Sequence, residues 1–151
     1  MYLPPKPLPD HLVPVAAEIM AFDVLIQNSD RLVKNPNCLT DGQRLAIIDH
    51  ELAFPSLIIG WIPPWEPNSL GYLGGPMTPL FFDQLRGRDL DLTRLVGAVE
   101  AVTDDRLAEY QEAIPEDWVE HENSDDSMIE SLKAMRGNIS GIVTQLKDAL
   151  R

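Results

Sequence analysis

The stretch FDVLIQNSDRLVKNPNCLTDGQRLAIIDHELAF, residues 22–54, decides the fold. It reads as the end of an apolar helix, then a polar loop at 28–37, then a short hairpin. The hairpin turn contains Asp41-Gly42, and Asp-Gly between apolar runs is a strong signal for two antiparallel strands. We therefore predict one small β-hairpin over about 37–49 in a chain that is otherwise mainly α-helical.

Four polar residues of this stretch are candidates for chemistry. Asp30 follows the helix, Asn35 and Asn37 follow Asp30 in the loop, and Asp49 ends the second strand. Two carboxylates and an amide brought together can hold Mg²⁺ and orient a hydroxyl, which phosphoryl transfer requires. Without further information, the two amides are also ordinary turn residues, and Asp30 could be a turn residue paired with Arg31. A metal-dependent hydrolase is a weaker alternative, because it would need more acidic ligands in the loop.

Apolar residues at helical spacing continue on both sides of this stretch. Before it, a helix that begins near His11 should deliver the polar loop. After it, residues 57–76 are rich in Pro and Gly and predict a long loop, because Pro interrupts regular helix. Beyond residue 78 we predict helices to the end of the chain, the last being one long helix. Helix N-caps are predicted at Asp10, Thr78, Thr103 and Ser124.

The composition limits the classes of protein to consider. A chain of 151 residues suits one domain, and a net charge of −12 argues against a nucleic-acid or anionic-membrane surface. No apolar segment approaches the length of a membrane span, and we find no pattern of a signal peptide at the amino terminus. The single cysteine, Cys38, excludes an intrachain disulfide and reads as a core residue. We therefore expect a cytoplasmic protein.

The pattern N-x-D-R-x-x-x-N-P-N at 28–37, followed by I-D-H-x-x-A-F at 48–54, resembles the HipA-like kinases of the protein-kinase-like superfamily. The resemblance is strongest over residues 21–54. It implies the carboxy-terminal lobe of a kinase, with a small β-hairpin that carries the catalytic and metal-binding residues. The implied segments are a proline-rich arm at 1–10, a lobe at 11–151, a catalytic loop at 28–37, a metal-binding Asp segment at 45–54 and a helical subdomain at 78–151.

The resemblance also implies a role for each candidate residue. Asp30 would be the catalytic base or the residue that orients the attacking hydroxyl. Lys34 would contact the transferred phosphate and help to bind ATP. Asp49 would be a ligand of Mg²⁺ in the ATP site, with either Asn35 or Asn37 as the second metal ligand. The implied cofactors are Mg²⁺ and ATP, and the implied reaction is phosphorylation of a Ser or Thr hydroxyl of a protein substrate.

A kinase of this type needs an amino-terminal lobe, with a loop that covers the phosphates and a lysine that anchors them. The chain contains four lysines, Lys6, Lys34, Lys133 and Lys147. None of them follows a glycine-rich loop. We therefore expect the carboxy-terminal lobe only, with little ATP turnover by this chain alone. We expect a partner protein that supplies the missing lobe or that is antitoxin-like, as in a toxin–antitoxin pair.

A second interpretation assigns the function to the acidic helical half. Residues 89–126 contain thirteen acidic and only two basic residues. Such a run is usually a solvated face, but it can also be a docking surface for a basic partner. Under this interpretation the chain is a catalytically inactive binding module, and the loop around Asp30 is a relic.

Overall fold

The computed structural model describes residues 4, 6–54, 62–75, 78–115 and 124–151, of which 124–127 are described by their backbone alone. Helices predominate in this part of the chain, and its strands form a single two-stranded sheet. The prediction of a mainly α-helical chain with one small hairpin is therefore confirmed. None of the helices in these ranges is long and apolar enough to cross a membrane. The helices are α1 (Val13–Leu25), α2 (Phe82–Leu85), α3 (Thr93–Glu100), α4 (Asp104–Glu112), α5 (Ser124–Gly137) and α6 (Ile139–Ala149).

Helix α1 lies at the centre of the hydrophobic core. It contacts the hairpin, α2 and α6, and a 3₁₀ turn at Asp10–Leu12 leads into it. Its apolar residues are buried on nearly all sides, as expected of a helix with almost no polar face. Asp10 does not cap the helix; its carboxylate accepts a hydrogen bond from Arg88. Leu8, which belongs to the predicted arm, is buried in this core.

The hairpin consists of β1 (Cys38–Thr40) and β2 (Leu45–Ile47), paired antiparallel. Its loop is stabilised by local bonds: the Thr40 hydroxyl accepts from the Gly42 amide at 2.9 Å and donates to the Arg44 carbonyl at 2.7 Å. Gly42 has φ +89°, a left-handed conformation that glycine adopts at little cost. The local turn chemistry therefore accounts for the predicted hairpin.

The segment before α2 differs from the prediction. Helix α2 begins at Phe82, and Thr78 does not cap it. Instead, residues 78–80 run beside the polar loop at 28–37: the Val33 amide donates to the Thr78 carbonyl at 3.3 Å, and the Leu80 amide donates to the Arg31 carbonyl at 3.0 Å. Long-range pairing has replaced the predicted first helical turn.

The predicted last helix is two helices, α5 and α6, separated at Asn138. Gly137 lowers the local helix propensity, and the Asn138 side-chain amide donates to the Ala134 carbonyl at 2.8 Å. The predicted cap at Thr103 is confirmed, since its hydroxyl accepts from the Arg106 amide at 3.1 Å. Arg136 then joins α5 to the start of α4 through the Val102 carbonyl at 2.5 Å.

Candidate active site

The loop that carries Asp30 begins where α1 ends. Gln27 adopts a left-handed φ of 56°, and the Asn28 amide donates back to the Asp23 carbonyl at 2.8 Å. Farther along, Leu32 and Asn35 exchange two backbone hydrogen bonds of 2.9 and 3.1 Å, which makes a tight turn. This turn folds the loop back on itself, so that residues five to seven positions apart in sequence meet.

Asp30, Asn35 and Asn37 form one hydrogen-bonded group. Oδ2 of Asp30 accepts from the side-chain amide of Asn35 at 2.8 Å and from that of Asn37 at 2.9 Å. Because an ionised carboxylate can only accept hydrogen bonds, both amides must turn their NH₂ groups toward Asp30. Each amide oxygen then points away from Asp30, and these oxygens remain available as metal ligands.

Lys34 and Asp49 are both exposed. Lys34 lies at the tip of the turn between Leu32 and Asn35. Asp49 follows β2 with a left-handed φ of 56°, and its Oδ1 accepts from the Glu51 amide at 3.5 Å. Within the described ranges, no hydrogen bond joins Asp49 to Asp30 or to the two amides. Both roles therefore stay predictions.

Arg31 is the buried centre of the site, with only 1% of its side chain exposed. Its Nε donates to Oδ2 of Asp23 at 2.8 Å. Its Nη1 donates to the carbonyls of Asn37 and Ile48, the latter at 3.2 Å, and its Nη2 donates to Nε2 of His50 at 3.0 Å. One guanidinium thus joins α1, the polar loop at 28–37 and the segment after β2.

This network excludes one alternative that the sequence left open, because Arg31 pairs with Asp23 and not with Asp30. Only 13% of the Asp23 side chain is exposed, and its Oδ1 also accepts from the Asn28 side-chain amide at 3.2 Å. Burial raises the pKa of Asp23, and the neighbouring Arg31 guanidinium offsets part of this shift. The His50 ring rests edge-on against Phe22, and its Nε2 accepts the bond from Arg31.

The donor set fits Mg²⁺ by its chemistry. Asn35, Asn37 and Asp49 offer only oxygen ligands, which this hard cation prefers. In the ranges that the structure describes, no three His, Cys, Asp or Glu side chains cluster so that they could hold a metal ion. The proposed set does not need such a cluster, because amide oxygens contribute to it. The oxygen atoms of these side chains are of the type that Mg²⁺ prefers. Which of the side chains bind the metal remains a prediction.

Residues 12–58 match the model of the HipA-like kinase family. The match confirms the resemblance that the loop and hairpin residues indicated. It covers α1, the polar loop at 28–37 and the hairpin, and it ends before the helical half of the chain. No curated protein and no solved structure shows a significant match to this chain. The similarity to a kinase family is therefore found in residues 12–58, which contain Asp30 and Asp49.

Sequence reasoning missed the pair formed by Asp23 and Arg31. A charged residue in the last turn of an apolar helix was an available signal, because a buried carboxylate requires a partner. The spacing of residues in the sequence did not by itself identify Arg31 as that partner. Only the folded loop places the Arg31 guanidinium beneath the loop backbone and against α1.

Proposed function

We propose that this chain is a HipA-like kinase domain that takes part in ATP-dependent phosphoryl transfer to a hydroxyl, most simply a Ser or Thr of a protein. The observation that carries the proposal is the Asp30 carboxylate held by two amides inside the stretch that matches the family. Phosphoryl transfer depends mainly on positioning and on charge stabilisation, and a carboxylate fixed in this way provides positioning.

Each residue has a distinct role in this proposal. The two amides bond to Oδ2 of Asp30 and leave its Oδ1 for the acceptor hydroxyl. Oδ1 would orient that hydroxyl and take its proton. Asp49 and either Asn35 or Asn37 would hold Mg²⁺, and the exposed Lys34 would reach a phosphate. ATP would supply the phosphoryl group, and Mg²⁺ would offset the charge on its oxygens.

The proposal includes a partner. Since a kinase of this type uses a second lobe to cover and anchor the phosphates, we propose that a protein carrying such a lobe, or an antitoxin-like protein, completes the site. By itself the chain should then bind Mg-ATP weakly and transfer phosphate slowly. A cytoplasmic location agrees with this proposal, since ATP and protein substrates are present there.

Two isosteric variants test the chemistry. Calorimetry should show that Asp49→Asn lowers the affinity for Mg-ATP by on the order of 10–100-fold, because a metal ligand is lost. Asp30→Asn should leave that affinity nearly unchanged and should slow phosphoryl transfer by about 10²–10⁴-fold, because proton transfer is lost. Both are measured with the partner lobe present. Asp89→Asn, at an exposed residue before α3, is the matched control and should behave as wild type.

Two results would contradict the proposal at different points. Full phosphoryl-transfer activity in Asp30→Asn would show that Asp30 is not the residue that orients and deprotonates the acceptor hydroxyl. Rapid turnover by the isolated wild-type chain would remove the need for a partner lobe. If neither the chain nor the complex bound Mg-ATP, the binding-module interpretation would replace the kinase.

A further inference from the structure

A cavity of about 340 Å³ lies behind the catalytic loop, between α1 and the segment that precedes α2. Most of its wall is apolar, and one end is polar. Asp30, Asn35, Asn37 and Asp49 do not line it, so the proposed phosphoryl transfer makes no use of it. Its volume is within the usual range of small-molecule sites. The apolar wall includes Met20, Val24, Leu73, Leu80 and Phe81; the polar end is formed by Asp23, Asn28 and Arg31.

At the polar end, the Asp23 carboxylate keeps acceptor capacity, whereas the Arg31 guanidinium has used most of its donors. A guanidinium has five N–H donors, and four of those on Arg31 are already used. The Asp23 carboxylate can accept about four hydrogen bonds, and within the described residues it accepts two, from Arg31 and Asn28. A ligand at this end would therefore meet a charged acceptor in Asp23, whereas the one cation there, Arg31, has little capacity left for an anion.

The electrostatics of the cavity favour a cation as well. Burial raises the pKa of the Asp23 carboxyl although Arg31 is adjacent, so one guanidinium does not fully compensate the buried carboxylate. A second positive charge beside Asp23 would stabilise the ionised carboxylate. The net charge of −12 on the chain adds a long-range attraction for cations.

We propose that this cavity binds a small, largely apolar molecule that carries a protonated amine, with the apolar part against Val24, Leu73 and Phe81 and the ammonium group on the Asp23 carboxylate. The Arg31 guanidinium and the ligand then share one carboxylate. Recognition needs neither ATP nor magnesium, so the site can be tested independently of the kinase chemistry.

The test compares three probes of one shape: benzylamine, benzyl alcohol and benzoate. Calorimetry on the full chain should show benzylamine binding about tenfold or more tightly than benzyl alcohol, because a charge-assisted hydrogen bond is stronger than a neutral one. Benzoate should bind least. Equal affinity for benzylamine and benzyl alcohol, or tighter binding of benzoate, would overturn the proposal.

The position of binding is tested on the wild-type chain by nitrogen–proton NMR. Benzylamine should shift the amide signals of Asn28, Leu73 and Leu80, and it should leave that of Leu107 in α4 unchanged. Shifts spread over the acidic surface would show non-specific attraction to the negative charge and would overturn the site. Asp23→Asn should remove the preference for benzylamine over benzyl alcohol, whereas Asp89→Asn should retain it. If Asp23→Asn does not fold, the set of amide signals that benzylamine shifts in the wild-type chain still tests the position of binding.

Discussion

A single buried guanidinium connects the parts of the site that the sequence keeps apart. Arg31 donates to Asp23 on α1, to the Asn37 carbonyl in the loop and to Ile48 and His50 after β2. A lysine could not reproduce this arrangement, because an ammonium lacks the planar fork of donors. Since Asn37 and the residues beside Asp49 are held together by this one side chain, the proposed metal ligands depend on it for their relative placement.

Replacing Arg31 by methionine should strongly destabilise the fold. The change keeps an unbranched apolar stem but leaves the Asp23 carboxylate buried without its cation, and it removes the bonds that Arg31 donates to the Asn37 and Ile48 carbonyls. Loss of one partner of a buried ion pair costs about 3–5 kcal/mol of unfolding free energy. Urea denaturation followed by circular dichroism measures this change.

The matched control is Arg44→Met, because Arg44 also pairs with an aspartate but is 82% exposed. Its unfolding free energy should change far less than that of the Arg31 variant. Equal effects of the two substitutions would show that the buried network is not what stabilises the site.

Among the helices and strands, the features that depend on hydrogen bonds between neighbouring residues could be predicted from the sequence. The hairpin was predictable because Asp41-Gly42 specifies its turn through neighbouring groups, and the cap at Thr103 was predictable for the same reason. The start of α2 was not, because Thr78 is used in pairing with Val33, a partner 45 positions away in sequence. Long-range contacts override local propensity, and spacing does not reveal them.

The candidate site shows the same contrast between local and long-range contacts. The group of Asp30 with Asn35 and Asn37 was predictable, because a tight turn at 32–35 brings together residues that are close in sequence. The contact between Arg31 and His50 spans 19 positions and depends on how the hairpin packs against the loop. Spacing alone therefore did not identify His50 as the residue that Arg31 contacts.

The hairpin turn yields a pH prediction. The Gln43 amide and the side chain and amide of Arg44 hold the pKa of Asp41 well below its usual range. Because the folded-state pKa is lower than the unfolded one, ionised Asp41 stabilises the fold fully above about pH 4. That contribution is lost as the pH falls through the lowered folded-state pKa.

Asp41→Asn should therefore lower the melting temperature at pH 7, and its difference from wild type should shrink steadily as the pH falls below about 4. The asparagine oxygen can still accept from the Gln43 and Arg44 amides, so the variant isolates the charge. Differential scanning calorimetry between pH 2 and 7 measures the trend, with Asp89→Asn as the exposed control. A difference that stayed constant with pH would show that charge at Asp41 is irrelevant to the turn.

For the whole molecule, negative charge is the dominant electrostatic feature. The chain carries 24 acidic and 12 basic side chains, and many acidic ones lie in residues 89–126. Several ion pairs connect distant segments, including Arg94 with Glu18 and Arg88 with Asp10. The arginines of both pairs are substantially exposed, and exposed pairs contribute little to stability. Repulsion among the excess carboxylates should therefore exceed the attraction within these pairs.

Added salt should then stabilise the protein. Raising NaCl from about 0.01 M to about 0.15 M shortens the screening length from about 30 Å to about 8 Å, which weakens repulsion across the acidic half. The melting temperature at pH 7 should rise over this range. The rise should vanish near the isoelectric point of about 4.5, where the net charge is close to zero. A fall in melting temperature with salt at pH 7 would show that the ion pairs between segments, rather than the acidic excess, dominate the electrostatics of the fold.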